Sequence, residues 1–129
     1  MNFNVVDVLG FEKRLMKIAK KYPSSVELVE TFFEELESSS SIEDLKSLGD
    51  HIPGYKLNGD RVYKSRMENP DANKSARAGF RIIWFLVTKE NDIYPLTIYS
   101  KSDQEDISKK EVSRLIRALS IRSASNDEE

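Results

Sequence analysis

Cysteine is absent from the 129 residues, and histidine and tryptophan occur once each. Without cysteine there is no disulfide framework and no thiolate metal site. The one histidine, His51, lies in a stretch rich in proline and glycine, where such a residue is more often a surface group than a catalyst. No apolar run approaches the roughly 18 residues of a membrane span. The N-terminus, MNFNVVDVLGF, has no basic region followed by a long apolar core, so no signal peptide is expected and a cytoplasmic protein is the simplest expectation. The length suits one compact domain, which should bury roughly 65–70% of the surface its unfolded chain exposes.

What is present is charge, and it is unevenly placed. Charged residues make up 33% of the chain, yet the net charge is only −2. Residues 1–52 hold six Lys/Arg against ten Asp/Glu, residues 53–122 hold fourteen against nine, and the tail 123–129 holds three acids and no Lys or Arg. The middle and late part is therefore basic between two acidic ends, although a solvated surface with scattered charge would give the same count.

Hydrophobic spacing gives the elements. Residues 2–8 alternate loosely and read as a short strand. Phe11, Leu15, Ile18, Ala19 and Tyr22 fall at helical spacing over 10–21, and Pro23 ends that helix. Ser24 or Ser25 caps a second helix with the stripe Val26, Val29, Phe32, Phe33 and Leu36 and an acidic opposite face. The two predict a helical hairpin covering one face of a sheet. Residues 42–59 read as one helical turn followed by irregular chain. Strands are expected at 60–67, 79–89 and 93–100, the second apolar on both faces and so central, the third interrupted by Pro95 at an edge or bulge. Residues 68–78 are polar and turn-rich, hence a loop. Ser108 and Glu111 have capping-box spacing ahead of a helix with the stripe Val112, Leu115, Ile116 and Leu119. The fold class is α+β, in the order β-α-α-β-β-β-α: an antiparallel twisted sheet with a helical hairpin on one face and a C-terminal helix, the helices forming one layer. A single domain is expected over 1–122, with a disordered acidic tail at 123–129.

Side chains alternate along strands. Val62, Lys64 and Arg66 share one face of their strand, Arg81, Ile83, Phe85 and Val87 one face of the next, and Thr97, Tyr99 and, if the strand continues that far, Lys101 one face of the third. If these faces coincide, Lys64, Arg66, Arg81, Tyr99 and Lys101 converge on one concave surface. The other face, with Tyr63, Phe80, Ile82, Trp84, Leu96 and Ile98, packs under the helices. Clustered cations repel, so they need an anionic partner. Outside the chain that partner is phosphate, which Arg binds with a planar fork and Lys as a point charge. Inside the chain it is a flanking acid such as Glu68, Asp103, Glu105 or Asp106.

Four segments, in this order, carry a resemblance: FEKRLMKIAKKYP, VYKSRM, AGFRIIWFL and IYPLTIYSKSDQEDIS. Over about residues 3–119 the chain resembles the RelE/ParE superfamily of toxins from type II toxin–antitoxin systems, most closely its HigB-like and RelE-like ribosome-dependent ribonucleases. The resemblance implies the fold already given and a metal-independent mRNA interferase with no cofactor, which cuts mRNA on the ribosome and inhibits translation. In that chemistry the 2′-hydroxyl attacks the adjacent phosphate, a base takes its proton, cations stabilise the phosphorane and an acid protonates the leaving 5′-oxygen. Carried over, Arg81 and Arg66 become phosphate stabilisers and Lys64 or Lys101 the base, with Tyr99 a stacking platform for a base or a packing residue. An open-face Arg81 implies that Arg81→Ala removes activity and leaves the fold intact. The chain departs from the family where RelE carries a tyrosine at the start of the last helix: here the segment is DISKKEV, with Ile107 at about that place. KSARAG keeps one glycine of the family's usual pair.

The partners implied are a cognate antitoxin protein, the ribosome and mRNA, with no membrane and no small-molecule cofactor. The antitoxin would dock in apolar grooves beside the hairpin or near 112–119. Two other functions fit part of the pattern: a ParE-like gyrase inhibitor without nuclease chemistry, and a non-catalytic binding module descended from a toxin.

Overall fold

A computed structural model describes residues 2–55 and 59–119. The expected tail 123–129, and 120–122 of the expected domain, lie outside the described residues. The element order is β1 (Asn4–Val5), α1 (Leu9–Lys21), α2 (Ser25–Glu37), α3 (Ile42–Lys46), β2 (Asp50–Ile52), β3 (Arg61–Met67), β4 (Phe80–Val87), β5 (Asp92–Ser100) and α4 (Lys109–Ala118). The strands lie in the order β1-β5-β4-β3-β2, antiparallel except for the parallel pair β1–β5, so the sheet is mixed. The class is α+β, as expected. Among the described residues no helix is long and apolar enough to cross a membrane.

All eight residues of β4 are buried, which accounts for its unbroken apolar run. Helices α1 and α2 cover one face, on which Phe11, Val29, Phe32 and Leu36 pack against Tyr63, Phe80, Ile82 and Trp84. Trp84 stacks on Tyr63 with ring centroids 4.6 Å apart, and its Nε1 donates to Ser65 Oγ at 2.8 Å. The second face is not open along its length. Helix α4 lies on it, and Val112, Leu115 and Ile116 cover Val62, Ile83, Phe85 and Val87. The helices therefore form two layers, not one, because β4 is apolar on both sides and each side needs a cover.

Three local features depart from the sequence reading for identifiable reasons. Residues 50–52, expected to be irregular, form β2, whose three residues pair with Val62, Tyr63 and Lys64. Pro95 does sit at an irregularity, and the register shift there turns Leu96 onto the α4 face instead of under the hairpin. Ser24 is the N-cap of α2 but does not cap with its side chain; its backbone N and its Oγ both donate to the Asp71 carboxylate. Ser108 caps α4 as the spacing implies, its Oγ accepting from Glu111 N at 3.1 Å, while the Glu111 carboxylate turns to Arg114.

The polar segment 68–78 is ordered. Asn69, fully buried, donates from Nδ2 to Ser100 Oγ and exchanges backbone hydrogen bonds with Lys74; short 3-10 turns follow at Pro70–Ala72 and Ala76–Ala78. The segment re-enters the sheet at Gly79, where a Cβ would collide with Met67 O and stand 2.8 Å from Asn69 N. Both contacts are backbone and cannot swing aside. Gly79→Ala is expected to cost about 1–3 kcal/mol as overpacking forces β3 and β4 apart, measured by urea denaturation; an unchanged midpoint would show that the crossing has room.

Candidate functional site

Strand pairing decides which cations meet. Arg66 lies opposite Arg81, and Arg81 opposite Tyr99; one row along, Lys64 lies opposite Ile83, and Ile83 opposite Thr97. Directly opposed side chains stand about 4.5–5.5 Å apart at Cβ. Lys64, Arg66, Arg81 and Tyr99 thus share one face of the sheet. Lys101 lies where the chain leaves β5, and its N donates to Gly79 O at 2.9 Å. It is half-buried and makes no ion pair among the described residues. His51 pairs with Tyr63, its ring 5.8 Å from the Tyr63 ring, and so belongs to the opposite face.

The site has two depths. Lys64 and Arg66 are the accessible layer. Arg81 and Tyr99 lie beneath it, 5% and 1% exposed. Arg81 is not the open-face residue that the alternation suggested. Its Nη1 donates to Ala76 O at 2.9 Å and Phe80 O at 3.3 Å, and its Nη2 to Arg77 O at 2.6 Å. It therefore clamps the turn that presents the exposed Arg77. Burial lowers the Arg81 pKa, the Arg66 charge pushes the same way, and Tyr99 and Asp106 oppose them; an arginine remains charged regardless. Tyr99 has no ring face open for a base to stack on, which leaves its packing role.

Asp106, seen in the sequence only as a flanking acid, organises the accessible layer. Its Oδ1 accepts from Ile107 N at 2.8 Å and from Tyr99 Oη at 3.3 Å, and stands 3.7 Å from Lys64 Nζ. The Ile107 N–H, aided by Lys64 and Tyr99, holds the Asp106 carboxyl below its ordinary range against the opposing effect of burial. Burial, then the Asp106 charge, pushes the Tyr99 phenol up to about 12, so it stays protonated. Arg66 Nη2 stands 3.7 Å from Asp50 Oδ2, on the strand β2 that the sequence did not disclose. Of the four acids expected to pair with the cluster, Asp106 does so. Asp103 instead binds Lys21 Nζ and Tyr22 Oη, each at 2.8 Å.

Three further features border the site. A cavity of about 190 Å³ opens beside Lys64 and Asp106, lined also by Tyr55 and Lys109. A groove of about 490 Å³ runs beside the hairpin past Leu28, Phe32, Leu48 and Met67. A third hollow, of about 570 Å³, lies between α1, β5 and α4 and is lined by Arg14, Leu96, Arg114 and Leu115. Among the described residues no three His, Asp or Glu side chains gather as a metal site would require. No protein-family model and no curated protein matches the chain.

Two outcomes follow, one for the buried arginine and one for the acids around it. Arg81→Ala strands three carbonyl oxygens at the start of β4 and is expected to cost about 2 kcal/mol or more, read as a lower urea midpoint; a midpoint equal to wild type would return Arg81 to the open face. Asp103 and Asp106 both have depressed pKa values in the folded state. Their stabilisation is complete above the unfolded-state pKa and is lost as pH falls through the folded-state value. Thermal melts should therefore drop on acidification below the ordinary carboxylate range, and Asp103→Asn should flatten that drop; parallel curves for the two proteins would place the acid sensitivity elsewhere.

Proposed function

We propose that this chain is the toxin of a type II toxin–antitoxin pair, a cytoplasmic, ribosome-dependent endoribonuclease that cuts mRNA and needs neither metal nor cofactor. The observation that carries the reading is the registered cluster of Lys64, Arg66 and Arg81 across two neighbouring strands on one face of the sheet. A fold gains nothing from gathering like charges, and half-buried Lys64 and exposed Arg66 are held only by long pairs to solvent-accessible acids. A phosphodiester that displaces Asp106 and Asp50 from Lys64 and Arg66 meets two donors already aimed.

In the reaction the 2′-oxygen forms a bond to phosphorus, the bond from phosphorus to O5′ breaks, and a 2′,3′-cyclic phosphate and a 5′-hydroxyl remain. One proton leaves the 2′-hydroxyl and one arrives at O5′. Lys64 and Arg66 contact the phosphate, and Lys64 or Lys101 takes the 2′-hydroxyl proton. Arg81 adds positive potential from below and fixes the turn carrying Arg77. The ribosome contributes by holding the mRNA in the attack geometry. A cognate antitoxin completes the assignment, with the groove beside the hairpin and the hollow next to α4 as its docking surfaces.

A second reading has its own observation. Lys64 and Arg66 each have an internal acid within 4 Å, and Arg81 spends three of its five N–H groups on carbonyls. Charge satisfied in this way suits a binding module without chemistry.

The deciding experiment doses a translating cell-free extract with wild type, Lys64→Ala and Arg66→Ala, and maps reporter mRNA ends by primer extension. Both substitutions are at accessible positions, unlike Arg81→Ala. The nuclease reading expects cuts in phase with the ribosome, reduced about 100-fold or more by each variant. Intact mRNA at every wild-type dose would favour the binding module.

A further inference from the structure

The cavity of about 190 Å³ beside Lys64 lies between the exit of β2 and the first turn of α4. Its walls differ in kind. Tyr55 supplies a half-buried aromatic ring, and Lys109 places Nζ 5.7 Å from that ring's centroid. Ile52 and Val112 give it an apolar floor, and Lys64 and Asp106 close the side toward the sheet. Oδ1 of Asp106 is taken by Ile107 N, Tyr99 Oη and Lys64; its Oδ2 has no partner among the described residues. Phosphate alone accounts for none of the extra walls, since it needs no aromatic surface and is repelled by a carboxylate.

A nucleobase needs both. Its faces stack on aromatic rings, and its Watson–Crick edge requires polar partners. A carboxylate only accepts hydrogen bonds, so it favours an edge that donates. Cytosine and adenine offer an exocyclic amine there, and guanine an amine with a ring N–H. Uracil offers one N–H between two carbonyl oxygens, which the carboxylate repels.

The geometry points to a nucleobase subsite: Tyr55 stacks the base next to the phosphate held by Lys64, Lys109 swings off the ring to admit it, and Asp106 Oδ2 selects an amine-bearing base over uracil. This rests on the RNA reading above and adds to it the identity of the base.

The test titrates labelled single-stranded RNA hexamers of cytosine, adenine or uracil with wild type, Tyr55→Leu, Tyr55→Phe and Asp106→Asn. Wild type should bind the cytosine and adenine hexamers about tenfold tighter than uracil. Tyr55→Leu should weaken all three about tenfold, with Tyr55→Phe restoring them. Asp106→Asn should bring the three affinities to within about twofold of one another, because the amide can donate to uracil's carbonyls. Equal wild-type affinities, or a preference that survives Asp106→Asn, would overturn the subsite. The translating extract separates the two readings: mRNA cut by a protein that binds no hexamer removes the subsite and leaves the nuclease. A protein that neither binds nor cuts removes both.

Discussion

A guanidinium buried within a sheet cannot release its proton and must be surrounded by oxygen. Arg81 meets that requirement with the carbonyls of Ala76, Arg77 and Phe80, all within five residues of itself. The consequences spread outward. The turn at Ala76–Ala78 is pinned against the start of β4, so the chain must enter the strand hard against the end of β3, where only Gly79 fits. That approach sets the register that places Arg66 opposite Arg81 and brings Lys101 N to Gly79 O. This end of the sheet is organised around an ion, whereas the opposite end is organised around Trp84, Phe85 and the two helical covers.

Having buried one cation, the fold places two more above it and tempers them with acids that come from outside the strands carrying the cations. Asp50 arrives on β2 and Asp106 on the segment after β5. Neither acid pairs with Arg81. The repulsion between Arg66 and Arg81 is thus relieved at the surface, in water, where pairs are weak and exchangeable. Lys21, Tyr22 and Asp103 differ. They tie α1 to the loop after β5 at short distances, and Arg14, whose Nε donates to Ile98 O, bonds to β5 beyond the two residues that β1 pairs. Acids in the run SKSDQED therefore have divided duties, Asp103 fastening the scaffold and Asp106 facing the cations.

The helices and the three long strands were legible because their signals are local: Pro23 after α1, Ser108 before α4, the unbroken apolar run of β4. The shared face of Lys64, Arg66, Arg81 and Tyr99 followed from alternation alone. What alternation could not supply was depth. Arg81 looks as open as Arg66 on a strand diagram, and its burial depends on a turn that only folding brings over it. Strand β2 was hidden because three residues, Asp50–Ile52, give too short a pattern to read, and Leu96 was misplaced because a bulge at Pro95 shifts the alternation by one. The pairing of Asp106 with Lys64 joins residues 42 positions apart, and nothing in either segment specifies it.

Ile107 bears on the proposed chemistry. Where the resemblance leads one to expect a phenol, this chain has a partly buried aliphatic side chain packed against the core on the α4 face, while its backbone N–H donates to Asp106. That carboxylate is held in its charged form, and the phenol nearest to it, Tyr99, is buried with its proton directed at Asp106. Neither can readily give up a proton at neutral pH. In the proposed reaction any proton delivered to the leaving oxygen must then come from a cation or from water, and the lysines at hand include Lys64, Lys101 and Lys109. Under the proposed nuclease reading, the displacement then runs only if lysine serves on both sides of it, or if the ribosome supplies the donor.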